Sequence, residues 1–227
     1  MRFPALKENL FRLGAWVPPK GIHYANGVLN YLNLGRWFRD RGIEIPVRLN
    51  GREPLYEQVA KLVKEPAAYL EFGVFNGSSM RFWSKLLKHP DSFLHGFDSF
   101  EGLPEDWKLL ARREDFCVEN IPVFDDPRIK LFKGWFSDTV PKYAAEFRRP
   151  PNLVMHLDAD LYSSTATVFK EMRRFIGPGT ILIFDELFDR EHELKAFTEY
   201  LDSGPIKVEC LGGTRSLTQA AFRVLAT

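Results

Sequence analysis

From Ala68 to the C-terminus, short apolar runs alternate with stretches in which apolar residues recur every three or four positions. That alternation predicts helices packed on a mainly parallel sheet. Residues 68–72, 92–97, 129–132, 153–157 and 180–184 supply the strands, and 78–88, 139–147, 164–176 and 191–202 the helices. Ahead of them, residues 53–64 carry Leu55, Val59, Leu62 and Val63 at helical spacing until Pro66 ends the pattern. The rhythm then changes: 207–211 and 215–224 flank the pair Gly212-Gly213 and read as a hairpin, which gives the sheet an antiparallel edge. The expected class is α/β, a Rossmann-like, doubly wound sheet.

Residues 1–50 do not share this rhythm. Pro18-Pro19, Gly21 and Gly27 punctuate them, and Trp16, Tyr24, Tyr31, Trp37 and Phe38 fall at irregular intervals. The segment is too short for a core of its own and reads as a helical cap on a domain spanning 51–227. Such a cap suits one wall of a substrate pocket or a contact between copies. His23 and Tyr24 are substrate candidates there, with ordinary packing or surface positions as the alternative.

The first strand ends in Glu71-Phe-Gly-Val-Phe-Asn-Gly-Ser-Ser79. Gly73 and Gly77 let the backbone approach a ligand closely, and the bare amides opening the next helix suit polar or anionic groups. A dinucleotide fingerprint, however, needs G-x-G-x-x-G, and here Val74 and Phe75 stand where a pyrophosphate requires bare backbone. Pyrophosphate binding is disfavoured.

In an open parallel sheet, ligands bind beyond the carboxyl ends of the strands, near the point where strand order reverses. Acids end four of the five parallel strands: Glu71 near the first, Asp98 at the second, Asp158 and Asp160 after the fourth, and Asp185 and Glu186 after the fifth. Asp98 follows Gly77 at about the 20-residue offset from which a carboxylate reaches ribose hydroxyls in nucleotide-binding units. The acids after the fourth and fifth strands would repel one another unless a cation or proton intervened, and a magnesium ion with octahedral oxygen ligands answers that need. Helix capping is the competing role for Asp160 and Glu186. His156 shares a strand face with Asp158, so it is either a base or a hydrogen-bonded core histidine. His192, at the start of the last helix, is a comparable candidate.

Composition narrows the partners. The 227 residues are 45% hydrophobic with a formal charge of +1 spread along the chain, so nothing points to nucleic acid or an anionic membrane. No apolar run approaches the roughly 20 residues of a membrane span, and the N-terminus lacks the apolar core of a signal peptide. Cys117 and Cys210 have no metal-type spacing. The expectation is a soluble, cytoplasmic protein. No Gly-x-Ser-x-Gly elbow is present.

Glu71-x-Gly73, Asp98-Ser-Phe-Glu-Gly-Leu-Pro104, Gly134-Trp-Phe-Ser-Asp-Thr-Val-Pro141, Leu157-Asp-Ala-Asp-Leu-Tyr162 and Phe184-Asp-Glu186, in this order, resemble the class I S-adenosylmethionine-dependent methyltransferases, and most of all the macrocin O-methyltransferase family. The resemblance covers about residue 55 to the end. It implies a seven-stranded sheet, methyl transfer to a hydroxyl of a small molecule such as a natural-product sugar, and a magnesium ion. It implies Glu71 and Gly73 near the methionine part of the cofactor, Asp98 at its ribose, and Ser99, Trp135 and Phe136 near its adenosine, with Gly77 of the same turn kept as a cofactor-binding candidate. Asp158, Asp185 and Glu186 would hold the metal, with Asp158 also receiving the proton. Two departures stand out: Ala159 lies between the acids where the family carries Gly, and Glu186 replaces a second Asp. A nicotinamide-dependent oxidoreductase and a non-catalytic cofactor-binding module are the rivals on the same fold. The acceptor is not legible, residues 106–124 read as a lid or a surface excursion, and a homodimer or higher homo-oligomer is left open.

Overall fold

The computed structural model describes residues 3–106 and 113–227. Two helices, α1 (Pro4–Gly14) and α2 (Pro19–Asp40), precede the short strand β1 (Arg48–Leu49) and helix α3 (Arg52–Ala60). The strands β2 (Ala67–Phe72), β3 (Phe93–Asp98), β4 (Ile129–Lys133), β5 (Asn152–Leu157) and β6 (Ile181–Phe184) follow in sequence. Between and after them lie α4 (Ser78–Leu86), α5 (Phe136–Glu146), α6 (Tyr162–Met172) and α7 (Glu193–Asp202). The hairpin β7 (Lys207–Thr214) and β8 (Ala220–Ala226) closes the chain.

One sheet in the order β1-β7-β8-β6-β5-β2-β3-β4 holds all eight strands, with β6–β8 and β7–β8 antiparallel and every other pair parallel. The strand beyond the implied seven is β1, which pairs Arg48 with Gly213 and Leu49 with Thr214. Two residues are too few to leave a periodic signal in sequence. The hairpin turn also differs from the expectation, because Gly212 and Gly213 lie inside β7 and the chain reverses over residues 215–219. Gly212 sits beside a register shift at φ +147°, and a Cβ there would come within 2.8 Å of Val47 Cγ1. Glycine is required at that bulge rather than at a turn.

Helices cover both faces of the sheet. On one face Phe72, Phe97, Leu157 and Phe184 pack with buried residues of α5, α6 and α7. On the other, Tyr69, Val154, Ile181 and Ile183 meet Leu55, Tyr56 and Val59 of α3 and Met80 and Trp83 of α4. The helical spacing of these residues is what commits each segment to one face. The second half of α2 joins the first layer: Leu34 and Phe38 are buried, and the Trp37 indole donates to Thr198 Oγ1 at 2.9 Å. The rest of the N-terminal pair is open, with Phe11 79% and Trp16 87% exposed. Among the described residues no helix is long and apolar enough to cross a membrane.

Because Leu34 belongs to the main core, Leu34→Ala should destabilise the whole domain by about 2–5 kcal/mol. Thermal unfolding followed by circular dichroism should display one transition lowered by several degrees. A main transition that does not move would mean that α2 is an independent appendage.

Candidate active site at the strand switch point

Register creates the site. Phe132, Phe97, Phe72, Leu157 and Phe184 pair side by side across β4, β3, β2, β5 and β6. The next residue on each strand is therefore at one level: Lys133, Asp98, Gly73, Asp158 and Asp185. Strand order reverses between β2 and β5, the position where a doubly wound sheet opens a crevice. The two strand ends touch there, for Asp158 donates its amide to Phe72 O at 2.9 Å. Gly73, at φ +100°, makes the approach feasible, since a Cβ would fall 1.8 Å from the Asp158 carbonyl oxygen.

A cavity of about 920 Å³ opens above this row. Its wall includes Gly73, Asp98, Ser99, Trp135, Phe136, Asp158, Asp185 and Glu186, so eight of the ten residues expected at the site face one space. Glu71 and Gly77 are not on that wall. Glu71 is fully buried and receives a hydrogen bond from Ser79 Oγ, while Gly77 is the N-cap of α4. His23 and Tyr24 are likewise absent from it. Part of the expected lid, residues 107–112, lies outside the described residues.

Asp98 is more engaged than a ribose ligand waiting for its partner. One of its carboxylate oxygens accepts from the Val74 and Phe75 amides at 2.7 and 2.8 Å, and the other from the Phe100 amide at 2.7 Å. The side chain thus shapes the glycine turn that it faces. It also occupies two amides of the turn, which are thereby closed to a pyrophosphate. Ser99 is similarly committed, donating to Gly102 O at 2.8 Å and accepting from the Glu101 amide at 3.1 Å.

Beneath the cavity, His156 takes one of its two expected roles, that of a hydrogen-bonded core histidine, with partners the sequence did not indicate. His156 is fully buried; its Nδ1 meets Tyr69 Oη at 2.7 Å and its Nε2 meets Tyr56 Oη at 3.4 Å. The same ring stands 3.6 Å from Glu71 Oε1 and 3.9 Å from Asp185 Oδ1. Single hydroxyls on apolar helix and strand faces carry no signal in sequence, so nothing singled out Tyr56 and Tyr69. His192 occupies the N-cap position of α7, and its Nδ1 accepts from the Tyr162 amide at 3.2 Å. Arg52 was also missed, although its guanidinium lines the cavity 4.0 Å from Asp185 Oδ2.

Charge crowding divides the acids. Burial, and then the neighbouring Asp185, Asp160, Glu193 and Glu71, push the Asp158 carboxyl well above the usual range. Burial acts upward on Asp185 too, but contact with His156 and the charge of Arg52 outweigh it and hold this carboxyl low. Paired carboxyls with opposed shifts are the arrangement in which one acid keeps its charge and the other exchanges a proton. Burial raises Glu71 to about 7 against the opposing pull of His156 and Ser79.

The donor set fits a cation. His156, Asp158 and Asp185 each offer a ligand atom, all within 4.8 Å of one another, and the buried Asp185 Oδ1 has no hydrogen-bond partner. Glu186 also lines the cavity, next to Asp185, while His156 approaches the two aspartates from beneath.

Fold and site together define the class: this is the architecture of the S-adenosylmethionine-dependent methyltransferases. Residues 48–210 match the macrocin O-methyltransferase (TylF) family, and the chain belongs to it. A curated relative, the 8-demethyl-8-(2,3-dimethoxy-alpha-L-rhamnosyl)-tetracenomycin-C 4'-O-methyltransferase of Streptomyces olivaceus, is 29% identical over 143 residues, 53% of each chain. The match thus spans about half the length of that relative. Among solved structures, the calicheamicin methyltransferase CalS11 is 26% identical with a TM-score of 0.57, covering 75% of this chain and 76% of its own. The O-methyltransferase NovP, at 22% identity and a TM-score of 0.56 over 76% and 78%, shares the fold.

The raised Glu71 carboxyl carries a pH signature. A buried acid whose pKa rises on folding stabilises the native state fully below its unfolded value, near 4.5, and loses that contribution as pH climbs through about 7. Denaturation of the ligand-free protein at pH 5 and pH 8 should therefore reveal a loss on the order of 3 kcal/mol that Glu71→Gln lacks. Equal pH slopes in both proteins would refute the assignment.

Proposed function

We propose that the protein is an O-methyltransferase that moves the methyl group of S-adenosylmethionine to a hydroxyl of a sugar carried by a natural product. The observation that carries this reading is the convergence of Gly73, Asp98, Asp158 and Asp185 on one cavity at the switch point. Family membership and the named activity of the Streptomyces relative, methylation of a rhamnosyl hydroxyl, support the acceptor class. At about 920 Å³ the cavity is near the upper end of ligand sites, which run from about 300 to 1,000 Å³, and has room for a nucleoside-sized donor beside an acceptor.

The chemistry asks little of the protein. A sulfonium methyl is already activated, so the site must align the acceptor oxygen, exclude water and accept a proton. Asp158 is the base in this reading, since burial and its acidic neighbours raise its proton affinity where it faces the cavity. Asp185, kept charged by His156 and Arg52, holds the electrostatic partner of that proton transfer. Trp135 and Phe136 offer apolar surface to the adenine, and Asp98 orders the turn beside the ribose. A divalent ion such as magnesium, held by Asp158 and Asp185 with His156 or Glu186, would neutralise the acids and acidify the acceptor hydroxyl. Glu71 influences the donor's positive end from below, through charge rather than contact.

The open apolar faces of α1 and the first half of α2, with Tyr24, Val28 and Leu32 exposed, support packing against another copy. A cytoplasmic setting agrees with two free cysteines.

The test is methyl transfer from labelled S-adenosylmethionine to rhamnosylated polyketide acceptors. Product should form, fall at least tenfold on chelation, and recover with magnesium. Asp158→Asn should lose 100-fold or more of kcat, within the usual reach of a general base. Activity untouched by Asp158→Asn would remove the mechanism, and cofactor-dependent hydride transfer in place of methylation would remove the function.

A further inference from the structure

The two loops that carry Asp158 and Asp185 are joined by a third residue to which no role attaches so far. Glu193, the first residue of α7, is fully buried. One of its carboxylate oxygens accepts from the Ala159 amide at 3.2 Å and the other from the Glu186 amide at 3.0 Å. These two amides belong to the peptide units immediately following Asp158 and Asp185. One side chain therefore fixes the orientation of both peptide planes and the spacing between the β5 and β6 ends. The neighbouring His192 adds a further tie, through its ring nitrogen to the Tyr162 amide at 3.2 Å. The start of α7 thus grips the β5 loop at two points and the β6 loop at one.

We infer that Glu193 is a positioning residue that sets the separation and aim of the Asp158 and Asp185 carboxylates, and with it the affinity of the site for a divalent cation. The inference rests on the proposed metal-assisted reading, but its structural half stands apart from that reading. The geometry demands two acceptor oxygens on one side chain, which must reach amides on different strands' loops. Aspartate is one methylene too short to reach both amides from the same backbone position. Glutamine has the right length but presents an NH2 to one of two N–H donors, so it keeps one tie and loses the other. Residues that orient metal ligands from behind typically change metal affinity or activity 10- to 100-fold when replaced.

The sequence hides this residue. Glu193 follows Glu191 and His192 at the start of an amphipathic helix, where an acid ordinarily reads as solvated first-turn charge.

The experiment compares wild type, Glu193→Gln and Glu193→Asp in three measurements: Mn2+ titration followed by electron paramagnetic resonance, S-adenosylhomocysteine titration calorimetry, and amide hydrogen exchange at Ala159 and Glu186. The expected result is a 10- to 100-fold loss of Mn2+ affinity in Glu193→Gln with cofactor-product affinity unchanged within about twofold. Exchange should quicken at one or both amides. Wild-type Mn2+ affinity and wild-type exchange in folded Glu193→Gln would overturn the inference, as would equal losses for Mn2+ and S-adenosylhomocysteine, which mark general loosening. Should Glu193→Gln not fold, Glu193→Asp is read by the same criteria. If wild type itself takes up no Mn2+, the metal-assisted part of the proposed function falls, and exchange alone decides the positioning role: quickened amides support it and unchanged amides overturn it.

Discussion

Like charges held close together in a dry place govern this molecule. Asp158 and Asp185 emerge side by side from adjacent strands, with Asp160, Glu71 and Glu193 near enough to raise the Asp158 carboxyl. Such a cluster is tolerated only if protons, cations or hydrogen-bond donors neutralise it. Each unusual feature around the cavity is one of those remedies. Arg52 leans over Asp185, His156 faces the same carboxylate from the core, and Ser79 donates to Glu71. Glu193 receives two backbone amides. In the proposed function, a sulfonium donor or a divalent ion at the cavity would add positive charge beside these acids.

The architecture that imposes this crowding is itself simple. Because Leu157 pairs with both Phe72 and Phe184, the residues that follow these three must surface together. The only side chain that does not fit there is the one at position 73, where the Asp158 carbonyl takes the space of a Cβ. Aromatic stacking sustains the register from below, with ring centroids 5.0 Å apart for Phe72–Phe97 and 4.9 Å for Phe97–Phe132. Stability and site geometry are thus set by the same rung of the sheet.

The alternation of runs made the five parallel strands, their helices and the antiparallel C-terminal hairpin legible, because each buries a face whose period survives in the residues, whereas the short β1 that takes the edge beyond the hairpin was not. The acids at strand ends were legible for a related reason: a carboxylate where an apolar run stops has few structural explanations. What escaped was everything that depends on a partner distant in sequence. Tyr56 and Tyr69 reach His156 from a helix and a strand 100 and 87 positions away, and Glu193 reaches Ala159 across 34. The glycine pair of β7 imitated a turn, since the positive φ of Gly212 looks alike in a bulge and in a turn. Asp98 illustrates a subtler limit, in that its spacing marked it as important while its three amide contacts give it a part in building the turn as well as in lining the cavity.

The central claim is that the acids of β5 and β6 form one cation-binding centre beside the donor pocket. Anomalous scattering from crystals grown with S-adenosylhomocysteine and Mn2+ tests it most directly. The account predicts one strong manganese peak between the Asp158 and Asp185 carboxylates, with the cofactor product's ribose next to Asp98. A well-ordered cofactor product accompanied by no peak at those carboxylates, or with its ribose away from Asp98, would contradict it.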